Sequence, residues 1–148
     1  MNVLAVDDDK AMTDLIAMLL QKHGFTVRTS NSARDAMRVI SEGWAHAVVL
    51  DLMMPDMDGR QICKAVRAFS NVPIIILSAF NDPQIVAESL DNGADDYLVK
   101  PVPSEVLAAR ITRLVRRTGR LGLDRNRSTL GAWIPSSASI PTTPVKPG

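Results

Sequence analysis

Three kinds of side chain stand where short apolar runs of this chain end. Asp7, Asp8 and Asp9 follow Val3 to Val6, Asp51 follows Ala47 to Leu50, Ser78 follows Val72 to Leu77, and Lys100 follows Tyr97 to Val99. If those run ends share one edge of a fold, several carboxylates meet one ammonium and one hydroxyl. Two carboxylates in close contact repel by roughly 4 kcal/mol at an effective dielectric near 20, so such a site is strained until a cation enters it. An all-oxygen ligand set with room for water suits Mg²⁺ better than zinc, and neither His23 nor His46 stands at such a run end. A metal and Lys100 together would neutralise an incoming phosphoryl group. A carboxylate would then act as nucleophile and form an acyl phosphate, with Ser78 donating its hydroxyl to a transferred oxygen. Taken singly, the acids after the first run could simply favour a helix dipole, and Asp51 could sit in a turn with Pro55 and Gly59. All four positions falling at run ends favours a site.

The elements that must position these residues are legible in the same runs. With Phe25 to Val27 added, five apolar runs read as strands, and Val-Val-Leu and Ile-Ile-Ile-Leu do not alternate with polar residues. Unbroken apolar runs belong to parallel strands covered by helices on both faces. The segments between supply the crossovers. Met12, Leu15, Ile16 and Leu19 repeat at helical spacing before Gly24, and Leu107, Ile111, Leu114 and Val115 do the same near the end, with Ser104 as an N-cap. Ser32 and Asp35 have capping-box spacing at the start of the second helix. Strand and helix alternating five times predicts an α/β fold, a doubly wound five-stranded parallel sheet whose ligand site lies beyond the C-terminal strand ends. That is the edge where Asp7, Asp51, Ser78 and Lys100 fall.

Composition bounds the rest. The 148 residues, 46% hydrophobic and 22% charged, suit one ordinary domain, and a net charge of +1 points to neither a nucleic acid nor an acidic substrate. The single cysteine, Cys63, excludes an intramolecular disulfide framework and fits a reducing, cytoplasmic setting. Its neighbours Ile62 and Val66 make it a packing residue. No run is long enough to cross a membrane, and the start lacks the basic and apolar regions of a signal peptide. Arg110, Arg113, Arg117 and Arg120 form a basic stripe opposite the last apolar one, which reads as a solvated face or a partner surface. The regular pattern stops after Thr118. The Pro-, Ser- and Thr-rich stretch from Pro135 to Gly148 cannot bury enough surface to order itself, so residues 1–118 are expected to form the domain and 119–148 a linker and disordered tail.

Four motifs, in order, resemble those of response-regulator receiver domains: V-D-D-D after the first strand, V-V-L-D-L-M-M-P-D-M-D-G around Asp51, I-I-I-L-S-A at the fourth strand, and G-A-D-D-Y-L-V-K-P at the fifth. The resemblance implies a (βα)5, flavodoxin-like receiver that takes a phosphoryl group on Asp51 from a sensor histidine kinase or phosphotransfer protein. The resemblance thus implies a phosphoacceptor signalling domain, catalysing only its own phosphorylation and dephosphorylation. It implies Mg²⁺ held by Asp7, Asp8, Asp51 and the carbonyl of Met53, contact of Lys100 with the phosphoryl group, and a switch made by Ser78 and Tyr97. A cis bond between Lys100 and Pro101 is likewise implied. Output is expected through the face of the fourth helix, fifth strand and fifth helix, where winged-helix transcriptional regulators of the family dimerise. The fourth helix here carries Glu88 and Asp91 but no basic residue to pair across such a dimer. Leu121 to Leu130 loosely resembles the opening strands of a winged-helix effector, whose remainder is absent; DNA binding by this chain itself is not expected. A fragment of a transcriptional regulator and a stand-alone receiver both stay open.

Haloacid-dehalogenase-like phosphohydrolases offer a rival reading through Asp7, Asp9, Ser78, Lys100 and the pair Asp95 and Asp96. Ala11 stands where that family has Thr or Val, no cap domain is present, and Asp51 would have no role. A flavin-binding module fits less well still, because acids follow the first strand where a phosphate would have to sit.

Overall fold

The computed structural model describes the backbone of residues 1–128 and the side chains of residues 1–118. Five strands alternate with five helices: β1 (Asn2–Val6), α1 (Lys10–Gln21), β2 (Thr26–Ser30), α2 (Ala33–Ser41), β3 (Ala47–Leu50), α3 (Gly59–Arg67), β4 (Ile74–Ser78), α4 (Pro83–Asp91), β5 (Asp96–Val99) and α5 (Ser104–Ser128). The sheet has the order β2-β1-β3-β4-β5 with every pairing parallel. Every residue of β3 and β4 is buried, as their unbroken apolar runs require of central strands with helices on both faces.

The strands differ from the sequence reading where local chemistry overrides hydropathy. β2 runs from Thr26 to Ser30 rather than from Phe25 to Val27; as an edge strand bonded only to β1 it tolerates the polar Thr26, Arg28 and Thr29. β4 starts at Ile74, because Pro73 has no N–H for a ladder and contributes only its carbonyl, which accepts from the Val48 N–H at 2.9 Å.

Helix ends are set by identifiable side chains. Asp9 caps α1 by accepting from the N–H groups of Ala11 and Met12, so one of the three leading acids serves the helix. Ser32 caps α2 by accepting from the Asp35 N–H at 3.1 Å, but the reciprocal half of that box is missing. The Asp35 carboxylate is taken by the Ser30 hydroxyl at 2.6 Å and by Arg38 at 2.8 Å, which hold it below the usual carboxylate range. The complete capping box is Asp58 with Gln61, at the start of α3.

The α1 stripe is rotated from the expected one. Ile16 and Leu20 are buried, and Met12, Leu15 and Leu19 join Ile16 in lining a cavity of about 220 Å³ with Leu77 and Leu107. In α5, Leu107, Ile111 and Leu114 are buried as read from the sequence, and Ser104 is the first helical residue rather than a flanking cap. The helix continues to Ser128 instead of stopping near Thr118. Arg, Leu and Asp can propagate a helix without an apolar stripe, so the end of the stripe did not mark its end. The backbone over 121–128 is therefore helical rather than strand-like, and the tail expected from 135 onward lies outside the described residues. The unit built on the sheet spans Met1–Leu114.

Candidate functional site

The register brings the strand ends into line. Val6 is level with Ser30 and Leu50, and Ser78 with Val99. Each candidate residue then continues the ladder by one rung. The Asp7 N–H donates to the Ser30 carbonyl at 3.2 Å, the Asp51 N–H to the Val6 carbonyl at 2.9 Å, and the Lys100 N–H to the Ser78 carbonyl at 2.8 Å. Backbone pairing thus fixes where these side chains start, and only their rotamers remain free.

Asp7 and Asp51 are largely buried and Asp8 is exposed, and one carboxylate oxygen from each lies within 4.8 Å of the other two. Lys100 Nζ stands 3.6 Å from Asp7 Oδ2 and 3.8 Å from Asp51 Oδ1. One ammonium therefore stands within 4 Å of two of the three carboxylates. Burial, and then the charge of Asp7, push the Asp51 carboxyl up to about 6, against the partial relief of Lys100. Burial also raises Asp7, although the Asp9 N–H donates to its Oδ1 at 3.0 Å and Lys100 lies close. A compact, oxygen-only trio with excess negative charge is a donor set that a hard divalent cation fits.

Ser78 is buried at the end of β4, where its Oγ accepts from the Phe80 N–H at 3.1 Å. Tyr97 packs its ring against the core cluster and donates its hydroxyl to the Phe80 carbonyl at 2.8 Å. One residue, Phe80, thus links both, which the spacing of Ser78 and Tyr97 could not reveal. Met53 lies in the β3–α3 connection with its side chain half exposed. The Lys100–Pro101 bond is cis.

The acids of the hydrolase reading go elsewhere. Asp95 Oδ2 accepts from the Ile74 N–H and from Arg67, both at 2.8 Å, at the end of β4 opposite Ser78, and Asp96 pairs with Arg110 at 2.6 Å. That reading loses its metal-binding pair. Cys63 is fully buried and its thiol is pushed up to about 11 by burial, as befits a packing residue.

Three groups escaped the sequence reading. Arg60 bonds Asp58 in the β3–α3 connection and Glu88 in α4, holding Asp58 below its ordinary pKa. Asn31 binds the Asp7 carbonyl in the loop after β1, and Asp56 the N–H of Ala33 at the start of α2. Apart from the local Arg60–Asp58 pair, these contacts join residues more than 20 apart and leave no periodic trace; only the isolated polar residues beside strand and helix ends hint at them.

A doubly wound sheet of this strand order, with an acidic trio and a lysine at its C-terminal edge, defines a receiver-type signalling module. Residues 3–112 match the response regulator receiver domain, and the chain belongs to that family. It is 38% identical over 123 residues to the transcriptional regulatory protein AfsQ1 of Streptomyces coelicolor, covering 83% of this chain and 55% of that protein. It is 40% identical over 119 residues to the response regulator MprA of Mycobacterium leprae, covering 80% and 52%. The chain thus spans about half the length of these curated relatives. Among solved structures, the receiver domain of Francisella response regulator 1452 aligns at a TM-score of 0.74 and 34% identity, over 79% of this chain and 98% of that one. The BeF3-activated N-terminal receiver domain of Klebsiella pneumoniae RstA aligns at a TM-score of 0.74 and 33% identity, over 78% and 99%. Among the described residues no helix is long and apolar enough to cross a membrane.

Proposed function

We propose that this receiver accepts a phosphoryl group on Asp51 from a sensor histidine kinase or a phosphotransfer protein, and that the modification switches an output. The single observation that carries this reading is the convergence of Asp7, Asp8 and Asp51 on one another with Lys100 beside them. Asp51 titrates near 6, so at neutral pH it is mainly the carboxylate, as a nucleophile must be. One of its oxygens bonds to phosphorus as the bond from phosphorus to the donor nitrogen breaks. The electron pair leaves with the donor imidazole, and an acyl phosphate remains. Lys100, already within 4 Å of Asp51, offers its ammonium to the arriving oxygens. Asp7, Asp8, Asp51 and the Met53 carbonyl would hold Mg²⁺, which when bound supplies the positive charge that lets two anions approach.

The switch uses contacts already described. Turning the Ser78 hydroxyl toward the phosphoryl group removes the acceptor of the Phe80 N–H, and Phe80 carries the acceptor of Tyr97. Rearrangement of Phe80 then reaches β5 and α4. Exposed Leu90, Val99 and Val106 lie on α4, β5 and α5 and support homodimerisation through that face. The domain catalyses nothing beyond gain and loss of its own phosphoryl group, works in the cytoplasm, and does not itself bind DNA. In the relatives' manner it would control transcription through a further region.

Acetyl phosphate with Mg²⁺ should add the mass of one phosphoryl group to the chain, chelation should prevent the gain, and Asp51→Ala should abolish it. A stable mass gain in Asp51→Ala would overturn the assignment, and under the hydrolase reading Asp7→Ala would be the inert variant.

A further inference from the structure

The acidic trio comes from two separate loops, one after β1 and one after β3, and the turn between β2 and α2 grips both. On one side, Asn31 Nδ2 donates to the Asp7 carbonyl at 2.8 Å and to the Thr13 hydroxyl at 3.1 Å, using both of its amide protons. Thr13 is fully buried in α1, so Asn31 ties Asp7 to a fixed point. On the other side, the N–H of Ala33 donates to Asp56 Oδ2 at 2.9 Å. Ala33 opens α2, and a first-turn N–H has no partner within its own helix. A carboxylate is favoured there by the helix dipole. Asp56 thus fastens the middle of the segment between Asp51 and α3, whose far end is closed by the Gly59 N–H donating to the Leu52 carbonyl at 2.6 Å.

We infer that Asn31 and Asp56 are positioning residues. Through the β2–α2 turn they hold the loop bearing Asp7 and Asp8 at a set distance from the loop that follows Asp51, and so set the spacing of the trio for a divalent cation. The inference rests on the proposed role of the trio. It differs from a merely structural role in what it moves. Groups that orient metal ligands from behind change metal affinity by about 10- to 100-fold when removed, whereas a stability contact changes only the melting temperature.

The test is calorimetric titration with Mg²⁺ alone, run on the full chain and its variants, beside the rate of phosphorylation by acetyl phosphate. Asn31→Ala and Asp56→Ala should each weaken Mg²⁺ binding about tenfold and slow phosphorylation at subsaturating Mg²⁺, with the rate recovering at high Mg²⁺. Asp56→Asn keeps an oxygen acceptor for the Ala33 N–H and should bind Mg²⁺ within about twofold of the parent. If Asn31→Ala does not fold, the pair Asp56→Ala and Asp56→Asn decides the matter alone. Folded Ala variants that bind Mg²⁺ like the parent, even with a lowered melting temperature, overturn the inference. Failure of the phosphorylation reading is distinct: the parent chain would gain no phosphoryl mass whatever its Mg²⁺ affinity.

Discussion

Removing the charge of Asp51 should make the metal-free protein more stable, and the size of the effect can be worked from the site. Its carboxyl lies near 6 in the fold against an ordinary 3.8, raised by burial and by Asp7, and its side chain is only 15% exposed. A rise of about two units corresponds to about 3 kcal/mol of destabilisation by the ionised form. The folded chain holds this proton more tightly than the unfolded chain. The site's contribution is therefore most favourable below about 4, declines as pH rises through the window between 4 and 6, and is fully unfavourable above it. Asn in place of Asp51 keeps the shape and removes the charge, though Lys100 then has Asp7 alone as its close partner. We expect Asp51→Asn to be more stable than the parent by about 1–3 kcal/mol at pH 7.5 in chelator, a rise in Tm of about 3–10 °C for a domain of this size. At pH 4.5 the gap should shrink below about 1 kcal/mol, because the parent is then protonated at Asp51. Mg²⁺ should raise the Tm of the parent more than that of the variant. Scanning calorimetry at the two pH values, with chelator and with Mg²⁺, measures all of this. A variant no more stable than the parent at pH 7.5, or a gap that does not change with pH, would refute the electrostatic account of the trio.

Gly59→Ala should cost about 1–3 kcal/mol and slow phosphorylation, because an added Cβ would stand 2.8 Å from the Leu52 Cα and 3.1 Å from the Asp51 carbonyl, both backbone atoms that cannot swing aside; urea unfolding and the acetyl phosphate rate check the two halves. The acyl phosphate should last minutes to hours, since Met53 and Phe80, two residues beyond Asp51 and Ser78, are apolar and cannot orient an attacking water. Met53→Asn, and separately Phe80 to a small polar residue, should shorten its half-life after acetyl phosphate is removed, without altering Mg²⁺ affinity; unchanged half-lives in both would sink the shielding idea.

The sheet and its chemical edge were legible because each depends on a pattern the chain writes locally. Central strands announce themselves as unbroken apolar runs, and in a parallel sheet the residue after each run must lie at the C-terminal edge. The pattern alone therefore places Asp7, Asp51, Ser78 and Lys100 at one edge. Edge strand β2 was misplaced because, bonded on one side only, it carries Thr and Arg that dilute the run. Ser32 and Asp35 have capping-box spacing in the sequence, S-A-R-D, yet the box that closes fully is D-G-R-Q, Asp58 with Gln61, at the start of α3. Competition decided it: Ser30 and Arg38 claim Asp35, while nothing comparable claims Gln61. The ties of Asn31, Asp56 and Arg60 were illegible because their partners are backbone groups or side chains on other elements, chosen by topology.

The proposed switch requires that the restraints on the β4–α4 connection be weak enough for one phosphoryl group to overcome. Those in view are few. The Phe80 N–H to Ser78 and the Tyr97 hydroxyl to Phe80 are neutral hydrogen bonds, worth about 1 kcal/mol net each. The Arg60–Glu88 pair that ties α4 to the first turn of α3 is partly exposed and adds about 0–1 kcal/mol. Together they restrain the connection by about 2–3 kcal/mol. A shift from 1:99 to 99:1 needs about 5.5 kcal/mol of differential interaction, within reach of a charge-assisted bond from Ser78 to the phosphoryl oxygens together with a repositioned Lys100. Had α4 been fastened by several buried charges, the same modification would leave it in place. Under the proposed switch, the sparse bonding of this connection, beside a sheet edge pinned rung by rung, would let the site stay rigid while the face behind it moves.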